Sequence, residues 1–594
     1  MPLALELAAA RLRSMTPAQI AERLDDRFRL LTSGSRTALP RQRTLRAVVE
    51  WSWDLLTEPE RRLARRLAVF AGSFSAEAVE IVCADDDLPA ADVVYVLGSL
   101  VEKSIVEKSE DSTVDGAGPR YRMLETLRVY ASDRLAESGE RDRMLAAMVA
   151  HYADLVERNE PLLRTRDQLD AIAVYERESD NLNAALREAI ESDSPDTAVR
   201  LLFGMYWYLN LVGQTERGAA FVTEVLEFAD RLPPDVAACL RMCDVSILAW
   251  SNQSITNLPE LVDDCVRTGA TQKYPWLWVG VALVAYLNGE RDLAMREVDR
   301  VTAWEDPWRR AVGHWEQGFV LTLSGDLEGA RRARELAYRG FVEVGDRWGL
   351  GVTVTFRAAQ QSYSGDHEAA LAGYTEGLRR AMEMRSADDV VHQYWRLASE
   401  RSRAGDQEGA WRDLEAAERH AAARGPSRAQ RVLLFMGRVE VLLREGRLAE
   451  AREVFREIRI RQSDPDQELF EQEWNDTVEA GLLLAEGEAD EAQRLVSTVL
   501  ASSVERSDMP DVAAMIELLA RIRLRQGEAE LAARLLSLTA VVRGQLDLGS
   551  PEVSELAADL TAALGTERYD ELAAEMQRWS RDEAIAWVLA QHTT

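Results

Sequence analysis

The chain has 594 residues, too many for one hydrophobic core, because single cores stop growing at about 250–300 residues. Its 47% hydrophobic content excludes whole-chain disorder, and its net charge of −30 makes it, taken whole, a poor match for a phosphate backbone. The longest apolar stretches, near 201–213 and 276–287, are far shorter than the ~20 residues that span a bilayer. The first fifteen residues carry Glu6, Arg11 and Arg13 and no cleavage-site pattern, so a cytoplasmic protein is expected.

Charge is unevenly spread. Residues 1–66 hold 13 Arg and 8 acidic residues, a net of +5, which leaves −35 for the remainder. Ala and Leu dominate the apolar set, so helices are expected nearly throughout. In chain order, helices are predicted at 3–13 and 16–28, and a compact domain over 41–135. That domain opens with helices at 45–56 and 58–70, the second with Thr57 as N-cap and Pro59 in its first turn. Gly72-Ser73-Phe74 reads as a turn, Ser75 as the cap of a helix at 76–83, and 90–102 as a further helix. Residues 104–108 and 120–124 alternate like strands around the polar loop 109–119, and a helix from 125 ends at Gly139. Helices followed by such a hairpin make a winged helix. Connecting helices are predicted at 145–158 and 169–190.

From about residue 200 the sequence repeats. A glycine, usually followed by an acidic residue, precedes an alanine by five positions. The pairs are Gly289 and Ala294, Gly325 and Ala330, Gly365 and Ala370, Gly405 and Ala410, Gly446 and Ala451, Gly487 and Ala492, and Gly527 and Ala532. Successive glycines lie 36, 40, 40, 41, 41 and 40 residues apart, Gly213 opens the series, and one degenerate turn is expected near Trp250–Asn252. Glycine ends a helix because it enters the left-handed conformation without steric penalty. The acidic residue suits the next helix N-terminus, and the alanine lets paired helices approach closely. Trp278, Trp315, Trp395 and Phe435 stand ten or eleven residues before four of the glycines and are expected to fill the wedge between helices. Tyr206, Trp207 and Tyr208 sit closer to Gly213 than that spacing allows and are candidates for binding a partner.

The Gly-x4-Ala mark and its aromatic resemble the tetratricopeptide repeat, at a period of ~40 rather than 34. The segments Trp51-Ser52-Trp53-Asp54-Leu55-Leu56, Leu67 to Phe74, Leu97 to Ser104 and Tyr121 to Arg128 resemble the winged-helix part of STAND ATPases, above all large actinobacterial transcriptional regulators and NB-ARC-like proteins. Pro2 to Ala10 is similar to the Gly-x-Pro motif and helix of their small helical domain. The resemblance implies a helical remnant of the nucleotide-binding module at 1–40, a winged helix at 41–140, a helical connector at 141–200 and a repeat superhelix at 201–594. Two departures matter. No Gly-x4-Gly-Lys-Ser/Thr phosphate loop occurs, so the family's nucleotide-binding module is missing and there is no basis for ATP hydrolysis. Leu124 also stands where the family's Met-His-Asp motif has its histidine.

No catalytic constellation is present. Of the six histidines (His151, His314, His367, His392, His420 and His592) none has metal or triad spacing. Cys239 and Cys243 lie one helical turn apart without further ligands, which favours core packing over zinc. The expected protein is therefore mostly α, a winged helix followed by a tetratricopeptide-like α-solenoid, with no enzymatic activity and no cofactor. The expected function is signal sensing and transcription regulation, with a protein or small inducer bound on the repeats. A free-standing adaptor and a DNA-binding regulator are the alternatives. For the last, Arg61, Arg62, Arg65, Arg66 and the Arg41–Arg46 stretch supply charge, but 90–102 carries Asp92 and Glu102 and no basic residue.

Overall fold

A computed structural model describes residues 49–50, 52–109, 118–250, 257–423, 425–461 and 469–591. The helices predicted at 3–13 and 16–28, the Arg41–Arg46 stretch, most of the wing loop, Ser251 and Asn252 of the degenerate turn, and His592 lie outside the described residues. The chain forms two compact units: Met1–Leu155 with Tyr175–Thr197, and Val156–Val174 with Ala198–Thr594. The stretch expected as a connector, 141–200, is thus shared between the two rather than standing apart.

In the first unit, helix α1 (Glu58–Arg66) starts at Thr57, whose backbone N–H donates to the Glu60 carboxylate at 2.7 Å, with Pro59 in the first turn. The predicted helix through Phe70 is shorter, because residues Leu67–Val69 tighten into a 3-10 turn. Phe74, expected in a turn, and Ser75, expected only as a helix cap, form strand β1 and pair with Tyr121 and Arg120. Two residues are too few to show a period, which is why the pattern did not reveal it. Helix α2 (Ala76–Cys83) is capped by the Ser75 hydroxyl, which accepts from the Ala78 N–H at 3.1 Å. Then come α3 (Ala90–Glu102), β2 (Val106–Lys108) and β3 (Arg120–Met123), with Val106 opposite Met123. The sheet order is β1-β3-β2, and α4 (Glu125–Ser138) ends at Gly139, φ 74°. Leu63, Leu67, Phe70, Phe74, Val93 and Leu97 fill the core.

Helices α5 (Arg141–Asn159) and α6 (Gln168–Glu191) follow. Within the first unit α6 is bolted to the sheet. The buried Arg120 guanidinium pairs with Glu178, whose carboxylate also accepts from Tyr152 Oη at 3.0 Å and Asn181 Nδ2 at 2.9 Å. Asn181 in turn donates to the Ser73 carbonyl and accepts from the Gly72 N–H. A Cβ at Gly72 would lie 2.9 Å from Asp180 Cβ, so this turn has no room for a side chain.

The second unit is an array of antiparallel helix pairs. One pair is Pro307–Leu323 with Leu327–Val344, the next Arg347–Tyr363 with His367–Glu383, and the next Ala387–Arg403 with Gln407–Ala422. All seven repeat glycines have positive φ, from 72° at Gly446 to 95° at Gly487, and all seven repeat alanines are completely buried. The acidic residues divide by length. Asp326, Asp366 and Asp406 accept the N–H three residues on, whereas the longer Glu290, Glu488 and Glu528 make no such cap. Trp278 and Trp315 are buried as expected, while Trp395 and Phe435 are only half-buried.

Beyond Arg543 the period lapses. The last three helices, Pro551–Leu564, Thr566–Met576 and Arg581–Ala590, carry no Gly-x4-Ala mark, so the array expected to run to 594 closes with a helical cap. The segment leading into that cap runs along repeat turns far away in sequence. The Leu548 N–H donates to the Tyr363 carbonyl at 3.0 Å, Arg403 pairs with Asp547 at 2.6 Å and Arg444 with Glu552 at 2.9 Å. Arg581 donates to the carbonyls of Ser324, Gly325 and Val542.

Ala410 sits among Ala398, Leu414 and Val441 with no exposed surface. Ala410→Trp has no space for its indole and is expected to cost about 3 kcal/mol, the upper end for an overpacked core. Because repeats are held by their neighbours, limited proteolysis should then cut near residues 387–422 while the winged helix resists. A variant as protease-resistant as the parent would show that the helix crossing is not close.

Candidate interaction surfaces

The winged helix carries the first candidate surface. The basic cluster Arg61, Arg62, Arg65 and Arg66 is already engaged. Arg61 donates to the carbonyls of Trp53 and Asp54, and Arg62 to that of Asp87. Arg65 pairs with Glu140 at 2.7 Å. Arg66, fully buried, donates to the Cys83 carbonyl and pairs with Asp85 and Glu140. The carboxylates respond. Hydrogen bonding to Arg66 holds Asp85 down to about 2; burial opposes ionisation of Glu140, but Arg66 and Arg65 prevail and hold it to about 2. Lys103 is likewise taken up by Glu60 at 2.6 Å and Arg122 by Glu107 at 2.6 Å. The Arg66 and Glu60 pairs are structural clamps, whereas Arg122 and Lys108 on the hairpin are exposed.

Helix α3, which a groove reader would insert into DNA, presents the wrong chemistry. Val94 and Tyr95 are exposed, Tyr95 by 77%, beside exposed Asp92 and Glu102, and Ile81 of α2 is exposed by 54%. Gly98 faces open space. Sequence reasoning noted the missing basic residues but not this patch. The signal was available: residues 93–97 of α3 are continuously apolar, more than one buried face requires. Leu124, at the start of α4, is 47% exposed.

The second candidate, the aromatic trio, is corrected by burial. Tyr206, Trp207 and Tyr208 lie on helix α7 (Pro195–Leu211), and none is more than 9% exposed. Tyr206 packs on Trp276 with ring centroids 4.7 Å apart, and Trp207 stands edge-on to Trp348 at 5.1 Å and Trp308 at 5.8 Å. They are core residues and offer no partner an anchor. Nearly every residue from Ala198 to Leu211 is buried, as a helix apolar all round must be. Cys83, Cys239, Cys243 and Cys265 are buried free thiols, and His367 contacts Glu400 at 2.6 Å. Among the described residues no helix is long and apolar enough to cross a membrane.

Residues 56–136 match the winged helix-turn-helix domain. A Mycobacterium tuberculosis protein named as an HTH-type transcriptional regulator is 44% identical over 200 residues, 34% of this chain and 22% of its own length. An uncharacterized Mycobacterium tuberculosis protein is 41% identical over 151 residues, 25% of this chain and 37% of its own. The chain thus spans less than a quarter of the regulator it matches. Among solved structures, a Pyrococcus horikoshii signal-transduction ATPase with a tetratricopeptide repeat sensor aligns over 96% of this chain and 74% of its own, at 12% identity and a TM-score of 0.31. A monomeric IFIT1 mutant bound to Gppp-AAAA aligns over 82% and 98%, at 12% identity and a TM-score of 0.33.

Proposed function

We propose that this chain is the sensing part of a transcription regulator, in which the repeats bind a protein or small inducer and the winged helix docks onto protein rather than DNA. The observation that carries the reading is the exposed face of α3, apolar at Val94 and Tyr95 and rimmed by Asp92 and Glu102. Such a face repels phosphates and suits a protein contact, where buried aromatic anchors supply most of the affinity. The winged-helix match and the relatives named as transcriptional regulators support the regulatory setting. The chain carries no phosphate loop, so it neither binds nor hydrolyses ATP by that route, and no catalysis is assigned to it.

The test is a binding assay with the full chain. Fluorescently labelled 30-base-pair duplexes at about 0.15 M salt should show no association tighter than the micromolar range of non-specific contacts. Saturable binding lost on Lys108→Ala would replace this reading with the DNA-binding one, which the domain match favours. Added Mg-ATP should be neither turned over nor stabilising; a gain above about 1 kcal/mol at several-fold saturation would overturn the non-nucleotide reading.

A further inference from the structure

We propose that Arg334 anchors a binding site for a small aromatic carboxylic acid within the repeats. Four arginines are buried among the described residues: Arg66, Arg120, Arg334 and Arg543. Three hold carboxylates: Arg66 has Asp85 and Glu140, Arg120 has Glu178 and Arg543 has Glu517. Arg334, 8% exposed, has none. Its Nη2 donates to the Thr322 hydroxyl, while its Nη1 is buried without an acceptor. Burial alone pulls its pKa down to about 10. A buried cation normally requires a paired anion, and the other three buried arginines each have one.

The surroundings say what kind of anion fits. The side chain crosses Gly318, in the body of the 17-residue helix Pro307–Leu323, where a Cβ would stand 2.9 Å from Arg334 Cγ. Glycine there weakens the helix by up to about 1 kcal/mol relative to alanine, and the space gained is what the arginine stem uses. The guanidinium then lies 5.5 Å from the Phe356 ring centroid. Phe356 meets Phe319 edge-on at 4.8 Å and Trp315 at 6.4 Å, and the Trp315 indole N–H is itself buried without an acceptor. Trp315, Phe319 and Thr322 share one face of their helix at the spacing i, i+4, i+7. Phe319 and Phe356 are half-buried, so the cluster reaches solvent on their side. A planar carboxylate matches the guanidinium fork, and an aryl ring beside Phe319 and Phe356 adds edge-to-face contacts. The covered position of Nη1 favours a small flat molecule that enters after a modest swing of the guanidinium. The site would serve the proposed sensing role, but its binding stands or falls separately from any contact with DNA.

The experiment uses the full chain and follows tryptophan fluorescence and titration heat with benzoate and phenylacetate as probes. Benzamide, acetate, phenyl phosphate and inorganic phosphate separate charge, ring and anion type. Saturable binding of the aryl carboxylates, at least about tenfold tighter than acetate or benzamide, is expected, and Arg334→Met should weaken it at least about tenfold. Arg334→Met should melt no lower than the parent, since it removes an unpaired buried charge, and Phe356→Leu is a second, milder variant that should also weaken binding. Equal affinity in parent and Arg334→Met, phosphates binding as well as benzoate, or no saturation by about 10 mM, a decade weaker than a millimolar site, would overturn the assignment.

Discussion

Arg66→Met should destabilise the winged-helix unit by about 3–5 kcal/mol, a large share of an ordinary domain's stability. Arg66 has no exposed surface, and its guanidinium is the common partner of Asp85, Glu140 and the Cys83 carbonyl. Methionine fills most of the volume but leaves two carboxylates and a carbonyl without their main donor. The same cluster fixes the direction of the pH response. Asp85 and Glu140 are held at about 2 in the folded protein, below their ordinary values of 3.8 and 4.5. Their contribution is therefore complete above about pH 5 and is lost as pH falls toward 2. Denaturant titrations from pH 6 to 3 should show the parent losing stability on acidification and Arg66→Met losing less, because the two carboxyls then titrate nearer their ordinary values. A parallel pair of curves, or a variant within 1 kcal/mol of the parent at pH 7, would remove Arg66 as the central clamp.

That clamp also shows what the sequence hid. The arginine cluster at 61–66 was visible as charge, and charge suggested a partner outside the chain. Only the fold reveals that Asp85 and Glu140, 19 and 74 residues away, meet it. Periodic features were legible because they are local: the seven glycine turns, the buried alanines and the bounds of α3 follow from short-range rules of helix termination and packing. Strand β1 was not, since its two residues are ordered by β3 some 45 residues later. Tyr206, Trp207 and Tyr208 misled for the opposite reason. They broke the repeat consensus, yet a helix enclosed by neighbours on all sides needs no consensus to be core. The exposed α3 patch lay in between: its apolar excess was readable, but which residues face outward depends on where α1, α2 and the sheet pack.

Asp346→Ala should be the most damaging single change in the repeat unit, at about 3–6 kcal/mol from two or three orphaned donors plus a lost helix cap. Asp346 is fully buried at the N-terminus of the helix Arg347–Tyr363. Its Oδ1 accepts from the Gly349 N–H at 3.1 Å and Gln168 Nε2 at 3.0 Å, and its Oδ2 accepts the Trp308 indole N–H. Gln168 passes the connection on, since its Oε1 accepts the Arg347 N–H at 2.9 Å. One carboxylate thus ties three helices, at residues 168, 308 and 347, with no water needed. Burial pushes its pKa up against these hydrogen bonds, and the three donors are what keep it tolerable in place. Asp346→Asn should rank between parent and alanine variant, because the amide keeps one acceptor but turns two N–H groups toward other donors. A double-mutant cycle with Trp308→Phe isolates the indole bond: Phe removes the donor and retains the ring, so the alanine change should cost less in that background by about 1–3 kcal/mol. If the two changes are additive, the indole bond contributes nothing to stability, and Asp346 acts through its helix cap and Gln168 alone.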